Sequence, residues 1–144
     1  MEVDSKKLNR LLASRLQRIK ENQNVLVVGH LAPYVLKPSN VDLVAILRRS
    51  PYELLDTFFA RGYNAEKSKN NAASEILGIV SFDAIETFGK KKIAEFDTSR
   101  KEPEKTADEI VLTLQGRLAQ RIGFVDWLAL VEERNDLHKF FDLK

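Results

Sequence analysis

Cysteine is absent from the 144-residue chain. Its absence excludes a disulfide frame, thiolate catalysis and thiolate metal sites, and it favours a reducing intracellular compartment. Histidine is scarce: the two, His30 and His138, are too distant in sequence to read as a zinc motif, so no metal ligands are expected. Long apolar runs are also missing. Nothing approaches the ~18 residues of a membrane span, and MEVDSKKLNR carries no apolar leader segment, so the expectation is a cytoplasmic protein without membrane contact. Neither sign of charge dominates. Lys and Arg number 23 against 21 Asp and Glu, and a net charge of +2 neither requires nor excludes nucleic acid.

The apolar fraction of 44 % is enough for one ordinary core, and its spacing sets the expected elements. Leu8, Leu11, Leu12, Leu16 and Ile19 recur at helical intervals after Asp4 or Ser5, which predicts an amphipathic helix over 5–20 with a basic outer side. The polar turn ENQN ends it. VLVVGH (25–30) and VDLVAILR (41–48) are short uninterrupted apolar runs and read as strands buried on both faces, with a loop holding Pro33 and Pro38 between them. Pro51 opens a helix with Leu54, Leu55, Phe58 and Phe59 inward. Ala73, Ile76, Leu77, Val80 and Ala84 predict one long helix over 65–87. KIAEFD is a third strand, TSRKEP a loop, and Pro103 starts a helix bearing Ala107, Ile110, Val111, Leu114 and Leu118. The apolar, aromatic tail suggests one or two short helices. Such alternation favours a parallel α/β sheet covered by helices. Its ligands would sit beyond the carboxyl ends of the strands, at Gly29, His30, Arg48, Arg49, Asp97, Thr98 and Ser99.

The corner RGYNAEKSKNN (61–71) gathers Arg61, Lys67 and Lys69 around Gly62. It reads either as a solvated junction between two helices or as a clamp for a phosphorylated ligand.

VLVVGHL, the stretch from VDLVAILRRSPYELL through RGYNAEKSKNNAASEI, and EFDTSRKEPEKTADEI resemble, in order and spacing, the atypical adenylate kinases of archaea and their eukaryotic relatives of the coilin-interacting nuclear ATPase type. The resemblance covers residues 3 to about 112. Its most specific element is Arg-Gly-Tyr followed by Lys67, Asn71 and Glu75. It implies a three-layer P-loop kinase-like fold, a parallel sheet with helices on both faces, lacking the N-terminal strand and P-loop. Residues 1–119 would be the incomplete kinase-like domain, with a lid at about 60–70, and 120–144 a C-terminal helical extension. The resemblance further implies adenylate kinase and ATPase activity with ATP, AMP and Mg, and a role in small ribosomal subunit maturation beside a ribosomal protein. His30 and Arg48 become the catalytic candidates. Arg61, Gly62, Tyr63, Lys67 and Thr98 become the nucleotide contacts. The loop DTSRKEP would pack beside adenine, although Asp97 and Thr98 read equally well as a capped turn.

This sequence departs from that pattern in three places. No G-x-x-x-x-G-K-[ST] occurs in it. Val28 stands where the resemblance implies an acidic residue that helps hold Mg, and Thr57 where it implies an arginine. The alternative is therefore a kinase-derived scaffold that binds a ribosomal protein or pre-ribosomal RNA, with Arg10, Arg15, Arg18 and Lys20 as a basic face, itself readable as a solvated helix side. Phe124, Trp127, Phe140 and Phe141 read as core, as a cover for an open sheet, or as a homodimer contact. His138 is expected at the surface.

Overall fold

A computed structural model describes residues 4–19 and 23–142. Helix α1 (Ser5–Gln17) begins where the Asp4 carboxylate accepts the backbone N–H groups of Lys6 and Lys7, at 3.0 and 3.1 Å. Its apolar side, Leu8, Leu12 and Leu16, is half-buried, and the helix packs on α2 (Ala32–Val35). It stops three residues short of expectation, with Arg18 as its C-cap; Lys20 lies outside the described residues.

The first expected strand does not form. Residues 25–28 carry no ladder, and Leu26 and Val28 are 87 % and 85 % exposed. An apolar run becomes a buried strand only beside an edge that accepts its N–H and C=O groups. Among the described residues the sheet consists of β1 (Val44–Arg48) and β2 (Ile93–Asp97), parallel and in register from Val44↔Ile93 to Arg48↔Asp97. On its other side β2 is met by the tail, where the Glu95 N–H donates to the Arg121 carbonyl at 2.8 Å. Ile93, Ala94, Glu95 and Phe96, which alternate between the two faces, are all buried.

Pro51 opens α3 (Pro51–Ala60) as expected, and a short turn leads to α4 (Ala65–Ile76), capped by the Asn64 side chain on the Lys67 N–H. The single long helix expected over 65–87 is two helices. Gly78 adopts φ 64°, ending α4 and starting α5 (Ile79–Phe88) on a new axis. A Cβ at Gly78 would lie 3.8 Å from Arg48 Nη2, an ordinary contact, so the constraint is the left-handed backbone itself. Gly78→Ala is expected to cost about 1–2 kcal/mol in urea unfolding; an unchanged midpoint would show that the turn is not needed.

Helix α5 packs on both strands, and α6 (Pro103–Leu114) packs on β2. The fold is thus mixed α/β, with a parallel sheet and helices, consistent with a P-loop kinase-like architecture but, among the described residues, with two strands rather than three. Ile46, Ala84, Phe88 and Ile93 form one buried cluster. The second joins Ala72 and Ile76 of α4 to Val131 of α7 (Trp127–Glu133) and Phe140 of α8 (Leu137–Phe140), with Trp127 and Phe141 packed against it. Trp127, Phe140 and Phe141 are therefore core residues, whereas Phe124 is exposed under the Arg121 guanidinium, 4.2 Å from its ring centre. His138 is exposed, as expected.

Candidate functional site

Strand alternation decides what the carboxyl end of β1 offers to a ligand. Ile46 and Arg48 point inward, and Leu47 between them is exposed. Arg48 is 4 % exposed, and its guanidinium is shared among three neighbours. Nε donates to Glu75 Oε1 at 2.7 Å and Nη2 to the Glu75 carbonyl at 3.0 Å. Nη1 donates to Glu95 Oε1 at 2.8 Å and, more weakly, to Ser81 Oγ at 3.4 Å. Burial alone would lower the Arg48 pKa; the bonds and charges of Glu75 and Glu95 outweigh it and hold the pKa above its ordinary value.

The partners are themselves held. Glu95 accepts from Ser81 Oγ at 2.7 Å and from the Gly123 N–H at 2.7 Å. Glu75 Oε1 also accepts from Trp127 Nε1 at 2.8 Å and from the Arg49 N–H at 3.2 Å. Arg48 thus ties α4, α5, β1, β2 and α7 together. The catalytic role expected of it does not suit this geometry, because its donors are committed to Glu75 and Glu95. Thr98 is committed likewise: its N–H and Oγ1 both donate to the Arg48 carbonyl, at 2.8 and 3.0 Å. Beside it Asp97 Oδ1 accepts the Ser99 N–H at 2.9 Å, the capped turn that the sequence allowed.

The other groups expected at the rim are placed differently. Arg49 is exposed and pairs with Glu53 at 3.1 Å. Ser99 Oγ accepts the Ser50 N–H at 2.8 Å, joining the loop after β2 to the start of α3. His30 is exposed at the end of the unpaired 25–28 segment, and no hydrogen bond joins it to Arg48.

The Arg61 corner is built from aromatic surfaces. Gly62, at φ 72°, turns the chain so that the Tyr63 ring stacks on Phe58, centroids 5.5 Å apart and planes at 8°. Lys67 Nζ lies 3.8 Å from the Tyr63 ring centre, a cation–π contact that fixes the first turn of α4 over the stack. Arg61 is exposed, and among the described residues neither Arg61 nor Lys67 is in an ion pair. A shallow depression of about 370 Å³ adjoins this corner, lined by Asn64, Glu66, Lys67, Asn70 and Asn71. The structure thus gathers Arg61, Gly62, Tyr63 and Lys67 at one corner, and leaves Arg48 in the interior network with half-buried Thr98 on its backbone carbonyl. Glu95 and Ser81 were missed from sequence, and Trp127 was read for its packing and not for its indole N–H.

No family model matches the chain. Individual proteins do match. A protein of Methanosarcina barkeri named "Putative adenylate kinase" is 33 % identical over 132 residues, covering 84 % of this chain and 69 % of the relative. The chain belongs to this adenylate kinase family. Relatives of the same name from Thermococcus gammatolerans and Thermococcus onnurineus are each 31 % identical, over 122 and 127 residues. Of their length the chain spans 66 % and 65 %, just under two thirds.

For this adenylate kinase family member, the described residues suit a nucleotide and a magnesium ion unequally. An exposed guanidinium and an ammonium beside a stacked aromatic pair suit the anionic and planar parts of a nucleotide. Mg has no comparable support: among the described residues no group of three His, Asp or Glu converges, and position 28 offers an exposed isopropyl group.

Proposed function

We propose that residues 1–119 are a kinase-like domain that binds adenine nucleotides, ATP and AMP, through the lid at about 60–70, and that residues 120–144 are a helical extension bracing it. The observation that carries this reading is the Phe58–Tyr63–Lys67 stack with Arg61 exposed at its hinge. Arg61 would take a phosphate bidentately or cover a base, while Lys67 supplies a second charge. His30, at the other rim, remains a candidate phosphate contact. Arg48 then acts by holding α4 in place. Phosphoryl transfer and ATP hydrolysis call for a phosphate cradle and Mg ligands that these residues do not provide, so binding is expected to exceed turnover.

Titration calorimetry tests this directly. ATP is expected to bind with micromolar to submillimolar affinity, and Arg61→Ala to weaken it about tenfold, the worth of one charge-assisted contact. Absence of heat with ATP and AMP, or an Arg61→Ala variant that binds as well as the parent, would remove the lid reading.

The finer proposal is membership of the coilin-interacting nuclear ATPase type, with its link to small ribosomal subunit maturation. Within it, a non-catalytic scaffold that meets a ribosomal protein or pre-ribosomal RNA is a second reading. One observation favours it, the charge of α1.

A further inference from the structure

Every charged side chain of α1 is basic, and in its first turns the helix carries this against its own stability. Lys6, Lys7, Arg10 and Arg15 lie in the helix and Arg18 caps it, with no acidic residue in the first turn. At 100° per residue the five fall within roughly half of the circumference, and Leu8, Leu12 and Leu16 lie on the other half. Lys6 and Arg10, Lys7 and Arg10, and Arg15 and Arg18 are like-charged neighbours three or four positions apart, which repel. Lys6 and Lys7 also sit at the positive end of the helix dipole. A helix side evolved only for solvation usually interleaves acids and gains from each pair. Among the described residues none of the five is in an ion pair.

The geometry points to the phosphodiester backbone of a nucleic acid as the partner of this face. A membrane surface fits less well, because the apolar side of a lipid-bound helix has to enter the interface, and here it is half-buried with α1 packed on α2. A folded protein partner normally contributes an apolar anchor. In the basic half only Leu11, 54 % exposed, could receive one. Thirteen residues of helix run roughly 20 Å, long enough to follow several phosphates. The asymmetry extends along the chain: residues 1–50 hold nine of the 23 cations but four of the 21 acids. This inference names the surface for the second reading above and is independent of nucleotide binding at the lid.

The test uses the whole chain and fluorescein-labelled 24-mers: single-stranded RNA, duplex RNA and duplex DNA, followed by anisotropy from low to moderate salt. At least one is expected to bind with an affinity that falls steeply with salt. The triple variant Arg10→Gln, Arg15→Gln, Arg18→Gln removes three contacts, so its log-affinity against log-salt slope should be shallower by roughly two to three units. Its affinity should drop at least tenfold, while ATP titrations stay unchanged. Glutamine keeps helix propensity and relieves the repulsion, and a preserved circular dichroism melt confirms that folding is intact. On the parent chain, bound nucleic acid should protect Arg10, Arg15 and Arg18 from an arginine-modifying glyoxal reagent. Which 24-mer binds best distinguishes RNA from DNA within the proposal. Failure of all three to bind at low salt, equal binding by the variant, absence of protection, or tighter binding to anionic vesicles or polyglutamate would each overturn it. Loss of ATP binding alone would instead count against the lid.

Discussion

Arg48→Ala is expected to cost about 3–5 kcal/mol of folding stability, because it strands a carboxylate that the fold cannot rehydrate. The side chain of Glu95 is 3 % exposed, and after the substitution its Oε1 keeps only Ser81 Oγ. Glu75, 17 % exposed, loses two guanidinium bonds but keeps Trp127 and the Arg49 N–H, so the larger share of the loss belongs to Glu95. Arg48→Lys should rescue little, since one ammonium cannot reach Glu75 Oε1, the Glu75 carbonyl and Glu95 Oε1 in the planar directions that a guanidinium offers. Adding Glu95→Gln to Arg48→Met should recover part of the loss, because no buried charge is then left unpaired. Urea unfolding followed by Trp127 fluorescence measures all four proteins, and the probe sits on the network itself. A loss below about 1 kcal/mol for Arg48→Ala would put it in the range of an exposed pair, and return Arg48 to the pool of candidate ligand contacts.

Phe140→Ala should have a comparable effect from the opposite end of the chain. Phe140 is 1 % exposed, and its ring meets Tyr52 edge-on at 5.4 Å. Truncation of such a ring costs about 3–5 kcal/mol through lost burial and the void it leaves. Tyr52 is further fixed by its hydroxyl, which donates to Asp136 at 3.0 Å. The Asp136 carboxyl is held below its ordinary value by the Lys139 ammonium and by Tyr52, against the upward pull of burial. Phe59→Ala, at a ring 84 % exposed, is the control and should stay within about 0.5 kcal/mol. Equal small losses for both variants would mean that α7 and α8 are appendages rather than core.

The contrast between these two phenylalanines marks how far the sequence could be read. The starts of α1, α3 and α6 were legible, because Asp4, Pro51 and Pro103 act through local chemistry that no neighbour alters. So were β1 and β2, and the corner at Gly62. VLVV was misread because its composition reports apolarity, whereas strand formation depends on a partner edge that composition does not reveal. Gly78 was passed over inside a helical pattern, although Ile76, Leu77, Ile79 and Val80 around it are too continuously apolar for one stripe.

Arg48 was placed at the rim by its position at a strand end. Parity with Ile46 was the available signal that it turns inward. Glu95 carried a similar signal: a lone acid between Ala94 and Phe96 in a fully buried strand requires a cation. Which cation, and that Ser81 and Trp127 complete the set, depends on contacts across the fold that no local pattern encodes.

Those contacts also set an order of events during synthesis. Arg48 meets Glu95 across 47 positions of chain, and Glu75 meets Trp127 across 52. A polypeptide leaving the ribosome can therefore wind its early helices at once. Glu75, 27 positions on, can pair with Arg48 first; Glu95 joins only after residue 95 has emerged, and the set is complete only once residue 127 has followed. Until then part of that guanidinium stays in water, and the native arrangement waits on the Trp127 segment.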